Sequence, residues 1–295
     1  MVDRQATVRS RLRRATPGVT TDPGEVVAAI LTTVDELRAA APRGGGVRAV
    51  GVVVPGIVDE RRGLAVHSEN VGWRDVSIRS LVEQATRLPV GFGHDVRAAT
   101  LAEWRLGAGR GLEDLVFVPI GTGVSAGIIV RGQLITGDGS AGEIGHVDVG
   151  HGEPCTCGGR GCVEAVASAA AIARRYTAAS GRSVAGAREV AERMVAGDPA
   201  ARQVWTDATA ALALALAWVS AVLAPQAILL GGGLGRSGSL LFEPLRQALD
   251  RHLGMVRRPR LLPATLQDEA GFLGAALLAW EVLGQTGTPQ VGGGP

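Results

Sequence analysis

Three cysteines and two histidines lie close together in one short segment, residues 146–162. Thiolate and imidazole groups are ligands that Zn²⁺ prefers, and a structural zinc site holds four of them in a tetrahedron. Because the chain has only these 3 cysteines, the cluster favours a metal site in a reducing compartment over a set of disulfides. We therefore expect a closed structural zinc site and a cytoplasmic location.

The expected ligands are three thiols and one imidazole. The thiols are Cys155, Cys157 and Cys162, and the glycines between them let the backbone wrap closely around an ion. The spacing leaves the imidazole open, since either His146 or His151 could complete the set. The alternative is three buried free cysteines beside exposed histidines.

A carboxylate at Asp95 follows His94 and a short apolar run, residues 90–93, and precedes a helical pattern over 97–106. Asp is common as the N-cap of a helix, and a carboxylate in such a place can equally accept a proton as a general base. The residues alone leave both interpretations open.

Two glycine-rich turns could contact a nucleotide. Gly121, Thr122 and Gly123 lie between two apolar runs, where backbone N–H groups and a hydroxyl would suit phosphate oxygens, although a plain hairpin has the same pattern. The residues from Gly231 to Gly235 follow another apolar run and precede a helix, where glycines would let the backbone approach an adenosine. The alternative there is a strand-to-helix turn without a ligand.

Strand-like and helix-like patterns alternate, which predicts an α/β protein. Helices are expected at 26–40, 77–87 and 97–106, and strands at 47–54, 90–93, 115–120, 125–130, 227–230 and 260–262. Helices dominate after Cys162. We expect a small N-terminal lobe over 1–110, a large C-terminal lobe over 111–284, and a disordered, Gly- and Pro-rich tail over 285–295.

Composition excludes several classes of partner. The formal net charge is +2 with acids and bases interspersed, which argues against nucleic acid and against a membrane surface. No apolar run follows the basic start, so no signal peptide is expected. The most apolar stretch, residues 208–223, is short and Ala-rich, which predicts a buried helix.

Several motifs then form an ordered series. The segment Gly142-Glu143-Ile144-Gly145-His146 is followed by Cys155-Thr156-Cys157-Gly158-Gly159-Arg160-Gly161-Cys162-Val163-Glu164. Upstream lie Pro55-Gly56-Ile57-Val58-Asp59, Asn70-Val71-Gly72-Trp73 and His94-Asp95, and downstream lies Gly231-Gly232-Gly233-Leu234. This series, which extends over nearly the whole chain, resembles the ROK family of repressors, uncharacterised frames and sugar kinases.

The resemblance implies an actin-like ATPase (ribonuclease H-like) fold of two lobes. It implies His146 as the fourth zinc ligand, leaving His151 in solvent, and Asp95 as the catalytic base. The sugar-binding residues that it implies are Gly56, Asn70, His94, Asp95, Glu143, His146 and Glu164. The nucleotide-binding residues that it implies are Gly121, Thr122, Gly123, Gly231, Gly232 and Gly233. We expect Trp73 to be a hydrophobic anchor.

The chain departs from the family pattern at two places. His94 stands where the family usually has Asn, and no Asp-x-Gly-Gly-Thr phosphate loop occurs in the sequence. Residues 1–4 correspond to the second strand of the family, so we expect a small lobe without its first strand and an incomplete nucleotide site.

The expected function is ATP-dependent phosphorylation of a glucose-like hexose at its 6-hydroxyl. The expected cofactors are a structural zinc ion and ATP with Mg²⁺, and the expected assembly is a homo-oligomer, a dimer or tetramer. An alternative is a sugar-binding or sensing pseudokinase that phosphorylates poorly, because the phosphate loop is absent. A transcriptional repressor is the least favoured, since the sequence shows no winged-helix domain before residue 26.

Overall fold

A computed structural model describes residues 1–15, 22–41, 46–68 and 71–286. The chain forms two compact units. The first unit comprises the described residues of 1–102, 136–140 and 269–286, and the second comprises 103–135 and 141–268.

The first unit combines two small sheets with helices. Its helices are α1 (Pro23–Ala39), α2 (Ile78–Thr86), the beginning of α3 (Asp95–Arg105) and the C-terminal helix α10 (Ala270–Thr286). Its strands are β1 (Val50–Val54), β2 (Ile57–Asp59), β3 (Leu64–Ser68), β4 (Trp73–Val76) and β5 (Val90–His94). Strands β1 and β5 pair in parallel, and β2, β3 and β4 form an antiparallel meander.

The second unit is built on a five-stranded sheet. Its strands are β6 (Leu115–Pro119), β7 (Gly127–Val130), β8 (Gln133–Ile135), β9 (Ala227–Gly231) and β10 (Arg260–Pro263). Its helices are α4 (Val163–Ala167), α5 (Ala169–Ser180), α6 (Ala187–Val195), α7 (Pro199–Leu223), α8 (Gly232–Gly235) and α9 (Ser239–Leu253). The strand order is β10-β9-β6-β7-β8, with β9 parallel to both of its neighbours. Every residue of β9 is buried, as its continuous apolar run predicts.

The three helices and six strands predicted with bounds are confirmed to within three residues at either end, whereas the apolar stretch 208–223 is the later part of α7, which begins at Pro199. The meander β2–β4 and strand β8 were not predicted, because strands of three to five residues are too short to show a clear alternation. Residues 1–4 form no regular strand in the described structure, where Val2 makes an isolated antiparallel bridge to Val8, and their correspondence to the second strand of the family stays a prediction. Residues 285 and 286 end α10 instead of beginning a tail, and the rest of the predicted tail lies outside the described residues.

The structure divides the chain differently from the predicted boundary at residues 110 and 111. The first unit ends at Ala102 within α3, and α10 returns from the C-terminal part of the chain to pack on β1 and β5. Glycines allow this approach: a Cβ at Gly51 would lie 1.9 Å from the Ala275 carbonyl oxygen, and one at Gly91 would lie 2.4 Å from the Leu278 carbonyl carbon. A boundary drawn from sequence does not include this packing, because the packing joins residues that are distant in the chain.

Helix α7 contains the apolar stretch that was predicted to be a buried helix. By length and composition it is the single described helix that could cross a membrane, but 56% of its most apolar window is buried. Ala208, Leu212 and Leu216 are among its residues in the core of the second unit. The prediction of a core helix is confirmed.

Removal of the Glu103 carboxylate is expected to destabilise the second unit. Glu103 is completely buried, and its carboxylate accepts hydrogen bonds from the backbone N–H groups of Ala108, Thr265 and Leu266. Because Glu103→Ala leaves these partly buried donors without their acceptor, we expect a loss of about 3 kcal/mol. Thermal unfolding should show a midpoint lower by about 5–10 °C.

The matched control is Glu192→Ala on α6. The Glu192 side chain is 64% exposed and pairs with Arg188 at the surface, so its removal should move the midpoint by less than about 2 °C. Equal midpoints for the two variants would contradict the anchoring role of Glu103.

Candidate functional site: a four-donor cluster, two glycine turns and a carboxylate

The four residues His146, Cys155, Cys157 and Cys162 converge in the second unit. One ligand atom from each lies within 4.8 Å of all the others. Cys157 Sγ is 3.7 Å from Cys162 Sγ, and Cys155 Sγ is 3.8 Å from His146 Nδ1. With Zn–S bonds of about 2.3 Å and Zn–N bonds of about 2.0–2.1 Å, ligand atoms of a tetrahedral site lie about this far apart. The cluster could therefore hold a metal ion.

The tertiary structure distinguishes the two histidines. His146 Nδ1 faces the thiols, whereas its Nε2 lies 4.0 Å from Glu143 Oε2. His151 lies outside the cluster, where its Nε2 is 3.5 Å from Asp207 Oδ2 and 3.0 Å from Arg175 Nη2. His151 therefore takes part in a charged surface network and not in the four-donor set.

Close backbone contacts explain the glycines around His146. A Cβ at Gly142 would lie 1.8 Å from the Ala126 carbonyl oxygen, and one at Gly145 would lie 2.0 Å from the Val124 carbonyl oxygen. Gly142 also has a φ of +101°, a conformation that favours glycine. The short 3₁₀ turn Ile144–His146 is thus held against the segment before β7, which sets the direction of Glu143 and His146.

The pKa values of two of the thiols, Cys162 and Cys157, are shifted in opposite directions. Burial raises the pKa of the Cys162 thiol to about 12, so this group gives up its proton only if a cation takes the proton's place. The backbone N–H of Gly159 lowers the pKa of the exposed Cys157 thiol, because the hydrogen bond stabilises its thiolate. Such a set matches a site whose thiolates form together with metal binding.

Glu164 connects the four-donor cluster with the first glycine turn. It lies in the first turn of α4, two residues after Cys162, and its Oε2 accepts a hydrogen bond of 2.9 Å from the Val124 N–H. A Cβ at Gly123 would lie 2.5 Å from the same carboxylate oxygen. The Glu164 side chain is therefore positioned by the loop that carries the predicted phosphate contacts.

The two glycine segments meet at the carboxyl ends of the parallel strands β6 and β9. Gly121, Thr122 and Gly123 form a tight turn closed by a bridge between Ile120 and Val124, with Thr122 exposed. Gly232 follows β9 with a φ of +71°, and a Cβ there would lie 2.4 Å from the Ile120 carbonyl oxygen. Only glycine allows this approach, so the structure places the two predicted segments side by side.

A groove of about 510 Å³ begins at this point. Its lining includes Gly231, Gly232, Arg236, Phe242 and Arg246. Clefts of this size, with apolar walls and few polar groups, are typical of small-molecule sites, and the carboxyl ends of parallel strands are their usual place in α/β proteins. Gly233, the third nucleotide-binding glycine predicted in the segment after β9, is exposed within α8.

Asp95 and His94 lie at the junction of β5 and α3 in the first unit. Asp95 is the first residue of α3, its side chain is 44% exposed, and its Oδ1 accepts a hydrogen bond of 2.7 Å from the Val96 N–H. His94 Nε2 lies 3.4 Å from the same oxygen. Burial, together with the charge of Arg97, lowers the pKa of His94 to about 4, so this imidazole is uncharged at neutral pH. A neutral imidazole can both donate and accept hydrogen bonds, as sugar hydroxyls require.

The other predicted sugar contacts of this unit lie on the meander. Gly56 has a φ of +97°, and a Cβ there would lie 2.2 Å from the His67 carbonyl oxygen. Trp73 is 2% exposed and belongs to the core, which confirms its role as a hydrophobic anchor. Asn70 lies outside the described residues. Ser68 Oγ, Trp73 Nε1 and His94 Nδ1 are buried without a hydrogen-bond partner in the described part of the chain, which is unusual unless water or a polar ligand pairs with them.

Glu60 and Arg97 were not predicted as site residues. Arg97 is 1% exposed, and its Nε donates to Glu60 Oε1 at 2.9 Å. No local pattern marks this pair, because its members are 37 residues apart and neither belongs to a recognisable motif. Only the fold brings them to the β5–α3 junction.

Comparison with known proteins places this arrangement in a family. The ROK family model matches residues 1–282. The chain is 34% identical to a glucokinase of Halalkalibacterium halodurans, over 78% of this chain and 75% of the relative. It is 35% identical to an N-acetylmannosamine kinase of Escherichia coli, over 92% of this chain and 90% of that enzyme.

A solved structure has the same architecture. The ROK family glucokinase of Streptomyces griseus, crystallised in complex with glucose and AMPPNP, aligns with a TM-score of 0.80 and 32% identity, over 95% of this chain and 94% of that one. The predicted α/β architecture is confirmed as the actin-like ATPase fold of the ROK sugar kinases. Because the family model extends over nearly all of the described residues and the four-donor segment lies within it, the chain belongs to the ROK family.

Proposed function

We propose that the chain transfers the γ-phosphoryl group of ATP to the 6-hydroxyl of a hexose, with glucose and N-acetylmannosamine as the first candidates. The observation that carries the proposal is the meeting of the two glycine segments at the ends of β6 and β9, beside a groove of suitable size. Relatives that are glucokinases and N-acetylmannosamine kinases support the choice of a hexose.

The chemistry of phosphoryl transfer requires positioning and charge stabilisation more than covalent help from the protein. Gly121, Thr122 and Gly123 would supply donors to phosphate oxygens, and Gly231 and Gly232 would let the adenosine lie against the backbone. ATP would bring Mg²⁺, which neutralises charge on the phosphates. Asp95 would accept the proton of the attacking hydroxyl, while His94, Glu143, His146 and Glu164 would orient the sugar.

We also propose that His146, Cys155, Cys157 and Cys162 hold a structural Zn²⁺. The three soft donors and one imidazole, at tetrahedral separations, support zinc over harder cations. All four positions would be filled by protein, so the ion would stiffen the segment between Glu143 and Glu164 and would not enter the reaction. The homo-oligomer and the cytoplasmic location stay predictions.

The test is an assay of ADP release with glucose, mannose, N-acetylglucosamine and N-acetylmannosamine, with the product identified by ³¹P and ¹H NMR. We expect a 6-phosphate from at least one sugar. Sugar-dependent ADP release from none of them would overturn the kinase proposal.

A second candidate is a protein that binds sugar without phosphorylating it. It is the alternative that the sequence analysis raised, because the 295 residues contain no Asp-x-Gly-Gly-Thr segment. Calorimetric titration with the same sugars separates the candidates, because this protein would bind a sugar and release no ADP. The reading frame could encode a longer form that contains that segment. If only the longer form turned over, the Asp-x-Gly-Gly-Thr loop would be the source of the phosphate-binding donors that turnover requires.

A further inference from the structure

In the chain, Asp95 lies between His94 and Arg97, two residues that contact the Glu60 carboxylate. Glu60 Oε1 accepts a hydrogen bond of 3.2 Å from the His94 N–H and one of 2.9 Å from Arg97 Nε. A single oxygen atom thus holds the last residue of β5 and the first turn of α3, on either side of Asp95.

Arg97 extends this contact to a third segment. Its Nη1 donates to the Gly139 carbonyl oxygen at 3.3 Å, and Gly139 lies so close to β2 that a Cβ there would be 2.2 Å from the Val58 carbonyl oxygen. A guanidinium that is 1% exposed needs a compensating charge, and Glu60, at 22% exposure, supplies it within the described structure. The pair therefore joins the end of β2, the β5–α3 junction and the turn at Gly139.

We propose that Glu60 is a positioning residue for Asp95, acting through the His94 backbone and the Arg97 side chain. The inference rests on the proposed sugar kinase function, in which Asp95 is the base. Neither Glu60 nor Arg97 touches the reacting atoms in this account. Their effect is to hold the Asp95 carboxylate in the geometry that proton transfer needs, where a displacement of about 1 Å can cost about a hundredfold in rate.

The test compares variants of Glu60 in the full chain. Glu60→Ala removes both hydrogen bonds, and we expect kcat to fall about tenfold to a hundredfold, with a smaller change in the KM for the sugar. Glu60→Gln keeps an oxygen acceptor of the same reach. The decrease in log kcat should therefore be at most half of the decrease in Glu60→Ala. Hydrogen exchange of the His94 amide gives a readout that is independent of activity, and it should be faster in Glu60→Ala.

Glu83 provides the matched control. Its Oε1 accepts from the Val90 N–H at 3.4 Å, so it contacts the opposite end of the same strand. Glu83→Ala should change kcat by less than about twofold, because Val90 is remote in the strand from Asp95. An equal loss of kcat in Glu83→Ala would show that Glu60 affects the rate only by stabilising β5. That result would overturn the inference.

A double variant covers the case in which Glu60→Ala leaves Arg97 unpaired and fails to fold. Glu60→Leu with Arg97→Met removes both charges and replaces them by apolar groups, which proteins often tolerate. A folded double variant with wild-type kcat would show that the pair is only structural and would overturn the inference. A wild-type chain that phosphorylates no hexose would instead overturn the proposed function, so the two failures are distinguishable.

Discussion

Replacement of Asp95 by Asn is expected to lower the rate of sugar phosphorylation by about 10²- to 10⁴-fold, the range over which general base catalysis contributes. Asn keeps the shape of the side chain and retains an oxygen that can accept the hydrogen bond from the Val96 N–H. The start of α3 should therefore be preserved. What Asn lacks is the basic carboxylate that takes the proton of the attacking hydroxyl.

The measurement is steady-state kinetics with saturating ATP, together with sugar titration by calorimetry. Sugar affinity should change much less than kcat, because the hydrogen-bonding geometry at position 95 is largely retained. The control is Asp22→Asn, which alters another Asp at the start of a helix: the Asp22 carboxylate accepts from the Gly24 N–H at the beginning of α1. Asp22→Asn should keep kcat within about twofold of wild type. A kcat for Asp95→Asn within tenfold of wild type would show that Asp95 is not the general base.

Loss of one cysteine from the four-donor cluster is expected to release the bound metal and to destabilise the second unit. Purified protein should contain about one zinc ion per chain, and Cys157→Ser should reduce this to a small fraction. Cys157 is the exposed thiol of the set, so its replacement creates no cavity and the effect reports on metal binding. Binding free energies of structural zinc sites reach about 10–16 kcal/mol in peptides, so the melting temperature should fall by more than that of Glu103→Ala.

The matched control for the zinc prediction is His151→Gln. This histidine is near the cluster in sequence but pairs with Asp207 and Arg175, so its replacement should leave zinc content unchanged. Protons compete with zinc for thiolates, and zinc affinity should therefore fall as the pH falls from 8 to 6. One zinc ion retained in a protein with all three cysteines replaced by serine would contradict the assignment, as would loss of zinc in His151→Gln.

Part of the secondary structure and the thiols of the four-donor cluster could be predicted from local patterns. Strand β9 is a continuous apolar run that is buried along its whole length, and α7 has the length and Ala content of a core helix. The three thiols lie within eight positions of one another, and glycines between them leave few ways for the loop to fold except around a shared centre. In these cases the residues that interact are neighbours in sequence, so spacing alone carries the information.

The choice between two histidines could not be made in this way. His146 and His151 are both within reach of the thiols along the chain, and family resemblance was needed to prefer the first. The close packing of Gly142 and Gly145 against the segment before β7 turns His146 towards the cysteines, whereas a charged network with Arg175 and Asp207 holds His151.

The sequence by itself therefore determined the α/β class, four of the ten described α-helices, six of the ten described strands and the three thiols of the four-donor cluster, because each depends on neighbouring residues. The tertiary structure decided the division into units, because α10 packs on β1 and β5 through glycine contacts that no local pattern reveals. It also decided that Gly232 meets Ile120 beside the first glycine turn, and that one Glu60 oxygen accepts hydrogen bonds from His94 and Arg97, on either side of Asp95 in the chain. These contacts join residues far apart in the chain, where the free energy of packing and of paired buried charges, and not the preference of any short segment, selects the arrangement.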